Sequence, residues 1–183
     1  FINNLKGFWV SKYELSITSG PKFVNGNKPY ISSNIEEYES LLNNIPVTYK
    51  LGNNLNSGII KSSEWGSIMY LAHSKYGNMD ISYNNSYITG SNNLDSTTGN
   101  IYGVYDMAGS ASELTYGANR LGDGTYELLD EKDLSWTKTY HGSIMGNNYY
   151  IRGGLDNGIY YFGSMNEGSY LVSVRNTLTK KSS

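Results

Sequence analysis

Residues 99–114 read GNIYGVYDMAGSASEL, and the predicted fold depends on this stretch more than on any other. Residues 101–107 within it are apolar and aromatic, which predicts a segment that returns to the core after a polar loop. Two acids in it, Asp106 and Glu113, stand seven residues apart. General acid/base chemistry by this pair would need a cleft and shifted pKa values. Because buried carboxylates are usually paired, we favour a structural role in which both acids bind turn amides and nearby arginines.

Length and composition exclude several classes of protein. The chain has 183 residues, which suits one domain with a substantial core, and we expect a single domain over residues 1–183. Its formal net charge is −2 and no basic patch stands out, so we expect no nucleic-acid partner. The absence of cysteine excludes disulfides, thiolate metal sites and thiol nucleophiles. No run approaches the roughly 18 apolar residues of a membrane helix, so we expect no membrane insertion of this chain.

Two helices are predicted on the N-terminal side of residues 99–114. The stronger one covers residues 62–76, with a serine as its N-cap and Gly77 as its stop. Side chains at helical spacing give it one apolar face. This face consists of Trp65, Ile68, Met69, Ala72 and Tyr76. A shorter helix is predicted over residues 35–44.

The remaining regular structure is predicted to be short β-strands. Residues 7–16, GFWVSKYELS, mix aromatic and β-forming residues in near alternation, which predicts a strand. Residues 78–100 are polar and lack periodicity, which predicts a long irregular surface loop. In the last third, Tyr-rich runs alternate with glycines and predict three more strands, at about residues 149–152, 158–162 and 169–175. Helices followed by irregular β-structure define an α+β fold.

Arginines and aromatic side chains are expected to hold the core. Arg152 and Arg175 are candidates for binding an anion, but the fixed fork of a guanidinium suits a loop-rich core. We therefore expect each to cross-link loop carbonyls and a carboxylate. Gly153 and Gly154 are not a phosphate loop, because no helix with Lys-Ser or Lys-Thr follows; they predict a tight turn and close backbone packing. The large aromatic residues expected mostly in the core are Trp9, Trp65, Trp136 and the tyrosines of residues 102–116.

Residues 147–170 are the best candidate for a ligand-binding face. Tyr, Ser, Gly and Asn dominate this segment, as they do antibody-like binding surfaces. An ordinary Tyr-rich strand pair at the edge of the domain is an equal alternative, because Tyr and Asn are common throughout the chain. Because side chains alternate along a strand, Tyr160 and Tyr161 cannot both face the core if they share one. The candidate ligand contacts are Asp156, Asn157, Tyr160, Tyr161, Asn166 and Tyr170.

Four segments, in this order, resemble the formylglycine-generating enzyme-like superfamily. They are GFWVSKYELS at 7–16, KSSEWGSIMYLA at 61–72, GNIYGVYDMAGSASEL at 99–114 and IRGG at 151–154, followed by Arg175. They extend over nearly the whole chain. The resemblance implies a variant of the C-type lectin fold, with two helices, short twisted antiparallel strands and long irregular loops. It also implies that Asp106, Glu113, Arg152 and Arg175 are structural.

The departures from this family concern its catalytic chemistry. Its oxidase branch binds copper through paired cysteines, and its sulfoxide-synthase branch binds iron through three histidines. This chain has no cysteine and only His73 and His141, so we expect no enzyme and no copper or iron. Ser110 and Leu114 stand where the family usually has Asn and Trp. That Asn helps to bind a structural calcium in some relatives, so Ser110 weakens the case for calcium, and we expect no cofactor.

The C-type lectin fold also serves variable proteins that retroelements diversify in phages and bacteria, where ligand-binding positions follow the Arg-Gly-Gly motif. The resemblance therefore implies a non-enzymatic binding module of a bacterial or phage surface protein, extracellular or on a cell or virion surface. Its partner would be a protein or a glycan. Two alternatives stay open: a structural pilin-like or phage-tail subunit, and a divergent oxidoreductase of the formylglycine-generating type.

Overall fold

The computed structural model describes residues 7–78, 88–107, 109–116, 118–120, 126–128, 144–145, 149–154, 162–163 and 172–181. Within these ranges the chain forms three α-helices and four small β-sheets. The predicted α+β class is confirmed. Of the ligand-face candidates, Asp156, Asn157, Tyr160, Tyr161, Asn166 and Tyr170 all lie outside the described residues.

The larger sheet contains the sequence stretch from which the fold was predicted. Its strands follow the order β10–β9–β5–β11, and β8 also pairs with β9. Their bounds are Gly109–Tyr116 (β5), Ile144–Met145 (β8), Tyr149–Gly154 (β9), Phe162–Gly163 (β10) and Ser173–Val174 (β11). Pairing is antiparallel except between β5 and β11, which are parallel. Glu113 of β5 lies between Arg152 of β9 and Ser173 of β11, at the centre of the sheet.

A three-stranded sheet follows the order β1–β12–β4. Its strands are Trp9–Val10 (β1), Leu55–Ile59 (β4) and Asn176–Lys180 (β12). Two ribbons complete the described strands, and they pair β2 (Ser16–Ile17) with β3 (Pro21–Lys22) and β6 (Ala118–Arg120) with β7 (Tyr126–Leu128). Only Arg175 separates β11 from β12, so this residue joins the two larger sheets.

The first helix, α1 (Ile35–Asn43), confirms the prediction over residues 35–44. The Asn34 side chain caps it by accepting a hydrogen bond from the Glu37 amide at 3.1 Å. The helix buries Tyr38 and Leu42. The Tyr38 hydroxyl accepts a hydrogen bond from the Ser32 amide and donates one to the Val172 carbonyl. This contact ties α1 to the chain just before β11. A third, short helix, α2 (Ile45–Thr48), follows at once and was not predicted.

The second predicted helix is α3 (Ser62–Ala72), which is shorter than the expected 62–76. Its N-cap is Lys61 and not a serine, and the Glu64 carboxylate accepts a hydrogen bond from the Lys61 amide at 2.9 Å. Four of the five predicted apolar-face residues are buried. The prediction for Tyr76 is wrong, because the helix ends before it and the side chain is 80% exposed.

Three other expectations are corrected by tertiary contacts. Residues 7–16 are not one strand, because β1 ends at Val10 and the backbone partners then change: Lys12 bonds the amide of Tyr105, and Leu15 bonds Val174 of β11. Trp9 is 60% exposed because β1 is an edge strand, whereas Trp65 is buried as expected. Residues 101–102 are exposed, so the return to the core begins only after Tyr102. Trp136 lies outside the described residues.

Two apolar clusters fill the interior. The larger one brings α1 and α2 against the larger sheet, with Leu15, Leu42, Leu114, Ile151 and Val174 among its members. The smaller one surrounds α3. It contains Ile60, Trp65, Ile68, Met69 and Met107.

The cap of α1 generates the first prediction. Asn34→Ala should lower the free energy of unfolding by about 1 kcal/mol, because the Glu37 amide loses its acceptor. Asn34→Asp should keep the stability of the wild type, since aspartate caps equally well and suits the positive end of the helix dipole. Urea unfolding followed by circular dichroism measures both variants. Equal stability of the two would show that the cap contributes nothing.

Candidate functional site

The buried ion pair between Glu113 and Arg175 is the centre of the polar interior. Both side chains are 0% exposed, and the Arg175 Nη2 and Nε atoms lie 2.6 and 2.8 Å from Glu113 Oε1. The remaining Arg175 donors bond the carbonyls of Ser11 at 3.0 Å and Tyr105 at 2.8 Å. The guanidinium therefore meets one carboxylate and two loop carbonyls, which are the partner types expected for it from the sequence.

Trp65 and Arg152 extend this network to α3. The Trp65 indole N–H donates to Glu113 Oε2 at 2.7 Å, so the second carboxylate oxygen is also bonded. The Arg152 guanidinium lies over the Trp65 ring at 4.9 Å, and its Nε and Nη2 donate to the Ser62 hydroxyl at 3.0 and 2.7 Å. Arg152 is only 4% exposed. The network thus joins β5, β9 and the β11–β12 junction to the first residue of α3.

Gly153 and Gly154 are the last two residues of β9. The predicted turn at this position is therefore wrong, because the ladder with β5 continues as far as Gly154, which pairs with Gly109. The register between the two strands shifts between Gly109 and Glu113, so the extra length is taken up in β5.

Asp106 fixes a neighbouring loop. Its described hydrogen bonds join it to that loop and not to the Glu113–Arg175 ion pair. Its Oδ2 accepts from the Thr89 hydroxyl at 2.5 Å and from the Gly90 amide at 2.7 Å. Its own amide donates to the Asp95 carbonyl at 3.1 Å. Asp106 has a positive φ of 60°, a conformation that aspartate tolerates better than most residues. The side chain is buried, and it fixes residues 88–95 against the core.

Glu14 is a buried acid of the polar interior that was not predicted from the sequence. It is 0% exposed, and its Oε2 accepts a hydrogen bond from the Ser110 hydroxyl at 2.7 Å. Its Oε1 has no hydrogen-bond partner among the described residues. Burial raises the pKa of Glu14 well above its usual range; the Glu113 carboxylate raises it further, and Arg175 lowers it. Burial also raises the pKa of Glu113, against the lowering effect of Arg175 and the Trp65 hydrogen bond.

One guanidinium therefore faces two carboxyl groups. Arg175 donates to Glu113 and to two carbonyls, whereas the hydrogen bond described for Glu14 comes from a neutral hydroxyl. Burial without a guanidinium donor of its own therefore raises the pKa of Glu14. The available signal for Glu14 was an acid inside the predicted strand GFWVSKYELS. Alternation did not reveal it, since three consecutive residues, Glu14, Leu15 and Ser16, are all buried.

The described residues show neither a metal-binding cluster nor a helix that could span a membrane. His73 is exposed at the C-cap of α3, and His141 lies outside the described residues. In the part of the chain that is described, no group of three or more His, Cys, Asp or Glu side chains is placed to hold a metal. The described helices are all too short or too polar to cross a membrane.

The candidate ligand contacts are flanked by described strands. β9 and β10 pair antiparallel, with Arg152 opposite Phe162 and Ile151 opposite Gly163. In sequence, residues 155–161 connect these two paired strands, and residues 164–171 connect β10 to Val172, which bonds Ser32.

A scan against models of known families finds no match, and a search of curated proteins finds no similar sequence. The resemblance to the formylglycine-generating enzyme-like superfamily stays a prediction.

The buried arginines generate the second prediction. Arg175→Ala and Arg152→Ala should each lower the free energy of unfolding by about 2–4 kcal/mol, because each leaves buried polar partners without their cation. Lys180→Ala, on an exposed position of β12, should change it by no more than about 0.5 kcal/mol. Differential scanning calorimetry measures all three. Unchanged melting temperatures in both arginine variants would contradict the network.

The raised pKa of Glu14 leads to the third prediction. Because the folded pKa lies above the unfolded value of about 4.3, the folded state holds the proton more tightly. The free energy of unfolding should therefore fall as the pH rises from the unfolded pKa through the folded one, by about 1.4 kcal/mol for each pKa unit between them. Glu14→Gln resembles the protonated acid and removes this fall.

The variant should accordingly be more stable than the wild type at pH 7.5, and the difference should shrink as the pH approaches 4.5. Urea unfolding of both proteins at pH 4.5, 6 and 7.5 gives this difference. A difference that stays constant with pH would show that Glu14 does not change its protonation on unfolding.

Proposed function

We propose that this chain is a non-enzymatic binding module that recognises a protein or a glycan through residues that follow Gly154. One observation carries the proposal. The strands on either side of residues 155–161, β9 and β10, pair with each other, and Arg152 of β9 is itself fixed in the buried network. Connections between rigid strands are the usual position for binding residues.

The state of the acids and arginines supports a non-enzymatic role. Asp106, Glu113, Arg152 and Arg175 are at most 4% exposed, and their described contacts are with other protein groups. A general acid or base has to reach its substrate within hydrogen-bond distance. These four side chains are buried, which supports a structural role for Asp106 and Glu113 over the acid/base hypothesis.

The composition of the segment supports the kind of ligand. Tyrosine offers a rigid ring and a hydroxyl, and asparagine offers adaptable hydrogen bonds, so both suit a protein surface or the hydroxyls and ring faces of a sugar. We therefore assign the ligand contacts to Asp156, Asn157, Tyr160, Tyr161, Asn166 and Tyr170. We further propose the C-type lectin-like fold, a single domain and a location on a cell or virion surface, as the four family-like segments imply.

Multiple substitution tests the proposed ligand face and gives the fourth prediction. In one variant, Ser replaces Asn157, Tyr160, Tyr161 and Tyr170. Its free energy of unfolding, measured with urea, should equal that of the wild type within about 0.5 kcal/mol per position. Its binding to a glycan array and a panel of cell-surface proteins should disappear, because the rings and amides supply the contacts.

Exposed tyrosines that are not among the assigned ligand contacts provide a matched control. Tyr70, Tyr76 and Tyr102 are 66%, 80% and 85% exposed and lie in α3 and in the loops, away from β9 and β10. Their joint replacement by Ser should leave binding unchanged. Loss of binding in this control, with retention in the first variant, would place the ligand site elsewhere.

A further inference from the structure

An apolar cleft lies between β1, β12 and the α2 region, residues 45–51. Its volume is about 190 Å³, and its walls include Trp9, Val10, Ile45, Tyr49, Leu51 and Leu178. It is open to solvent, since Trp9 is 60% exposed and Tyr49 and Leu51 are each 44% exposed. Ligand pockets for whole small molecules usually measure about 300–1,000 Å³. The cleft is therefore the size of one large apolar side chain.

Further apolar side chains near the cleft lining in sequence are exposed. The Tyr49 hydroxyl donates to the Pro21 carbonyl at 2.8 Å, and this contact places the β2–β3 ribbon beside Tyr49 of the cleft. Ile17 of this ribbon, Val24 and Val47 of α2 are exposed. Exposed apolar side chains at a cleft favour the binding of other macromolecules.

The residues next to the cleft lining in sequence include lysines and no acid. The lining comes from residues 9–11, 23, 45–51 and 176–178, and the ranges 7–12, 20–24, 45–51 and 176–181 around it contain five lysines and no Asp or Glu. The whole chain, in contrast, has a formal net charge of −2. These lysines are Lys12, Lys22, Lys50, Lys180 and Lys181.

Two of the lysines are well placed to meet a ligand in the cleft. Lys50 is exposed and lies between Tyr49 and Leu51, which both line it. Lys180 is exposed and shares a face of β12 with Leu178, because side chains two residues apart in a strand point the same way. Lys12 has other partners, since its ammonium bonds the Ile101 carbonyl.

The described contacts of three acids, Glu14, Glu37 and Glu39, are with groups other than these lysines. Glu14 is buried beside Ser110, and the carboxylates of Glu37 and Glu39 accept hydrogen bonds from Tyr30 and Tyr149. Exposed lysines therefore stand beside the lining of an apolar cleft in sequence. Charge complementarity of this kind selects partners and speeds their encounter.

We propose that the cleft binds a segment of a partner protein that inserts one large apolar side chain between Trp9 and Leu51 and places acidic residues beside Lys50 and Lys180. β1 is the edge strand of the described three-stranded sheet, so an extended segment has a backbone to lie along. A concave site of one-side-chain size favours a protein segment over a lipid surface. This site uses none of the residues assigned to the proposed ligand face, and the proposal does not depend on that face.

Peptide titration of the whole 183-residue chain tests this proposal and gives the fifth prediction. The probe is the capped synthetic peptide Ser-Glu-Asp-Leu-Asp-Glu-Ser, added to 15N-labelled protein and followed by heteronuclear NMR. We expect shifts confined to the Trp9 indole and to the amides of Val10, Lys50, Leu51 and Leu178. A peptide with lysines in place of the acids, and one with serine in place of leucine, should each bind about tenfold more weakly or worse.

Protein variants complete the test. Leu51→Ser and the double change Lys50→Glu with Lys180→Glu should each weaken binding of the acidic peptide by about tenfold. Tyr70→Ser, at an exposed position on α3, should leave it unchanged. All of these positions are exposed, so the fold should be retained, and the unperturbed amide spectrum verifies this.

Three results would overturn the proposal. The first is the absence of shifts at millimolar peptide, and the second is equal binding of the acidic and basic peptides. The third is co-sedimentation of the chain with vesicles of phosphatidylcholine and phosphatidylglycerol that Leu51→Ser abolishes, which would assign the cleft to an anionic membrane surface.

Discussion

The ion pair between Glu113 and Arg175 is the contact on which the rest of the described structure depends. Arg175 is the single residue between β11 and β12, and Glu113 lies at the centre of β5. Their contact therefore fixes the two larger sheets relative to each other. Through Trp65 and Arg152 it also holds the start of α3. Removing one member of a fully buried pair leaves an uncompensated charge, which costs more than the pair itself contributes. A loop-rich fold with few long strands thus concentrates its cross-links in a small polar interior.

The same ion pair determines how the other interior acid is accommodated. A guanidinium has five N–H donors, and the described contacts of Arg175 with Glu113, Ser11 and Tyr105 use four of them. Glu14 accepts a hydrogen bond from the Ser110 hydroxyl, so its charge would be buried without a cation of its own. Burial and the Glu113 carboxylate therefore raise the pKa of Glu14. The stability of this interior thus depends on pH as well as on the arginine.

Local signals in the sequence were sufficient for some elements and not for others. The core of α3 follows from side-chain spacing, which acts over a few positions, although its N-cap is Lys61 and not the predicted serine. Helix α1 was predicted within one residue of its observed end. The partner types of Arg175 follow from the chemistry of a guanidinium in a loop-rich core. Glu14 could not be found this way, because residues 7–16 break into separate short pairings and bury three consecutive side chains. The exposure of Trp9 was equally hidden, since it depends on β1 being an edge strand, which only the assembled sheet defines.

The proposed binding surfaces lie where substitution disturbs this interior least. β1 and β10 are the outer strands of two different described sheets, and both sheets are joined through Arg175. Side chains at such edges can change without touching the Glu113 carboxylate or its donors, so their stability effects stay small. A change inside the network has no such freedom, because each member has two or more buried partners. Binding specificity at the edges can therefore vary over a wide range of side chains while the buried ion pair and its partners keep the same scaffold.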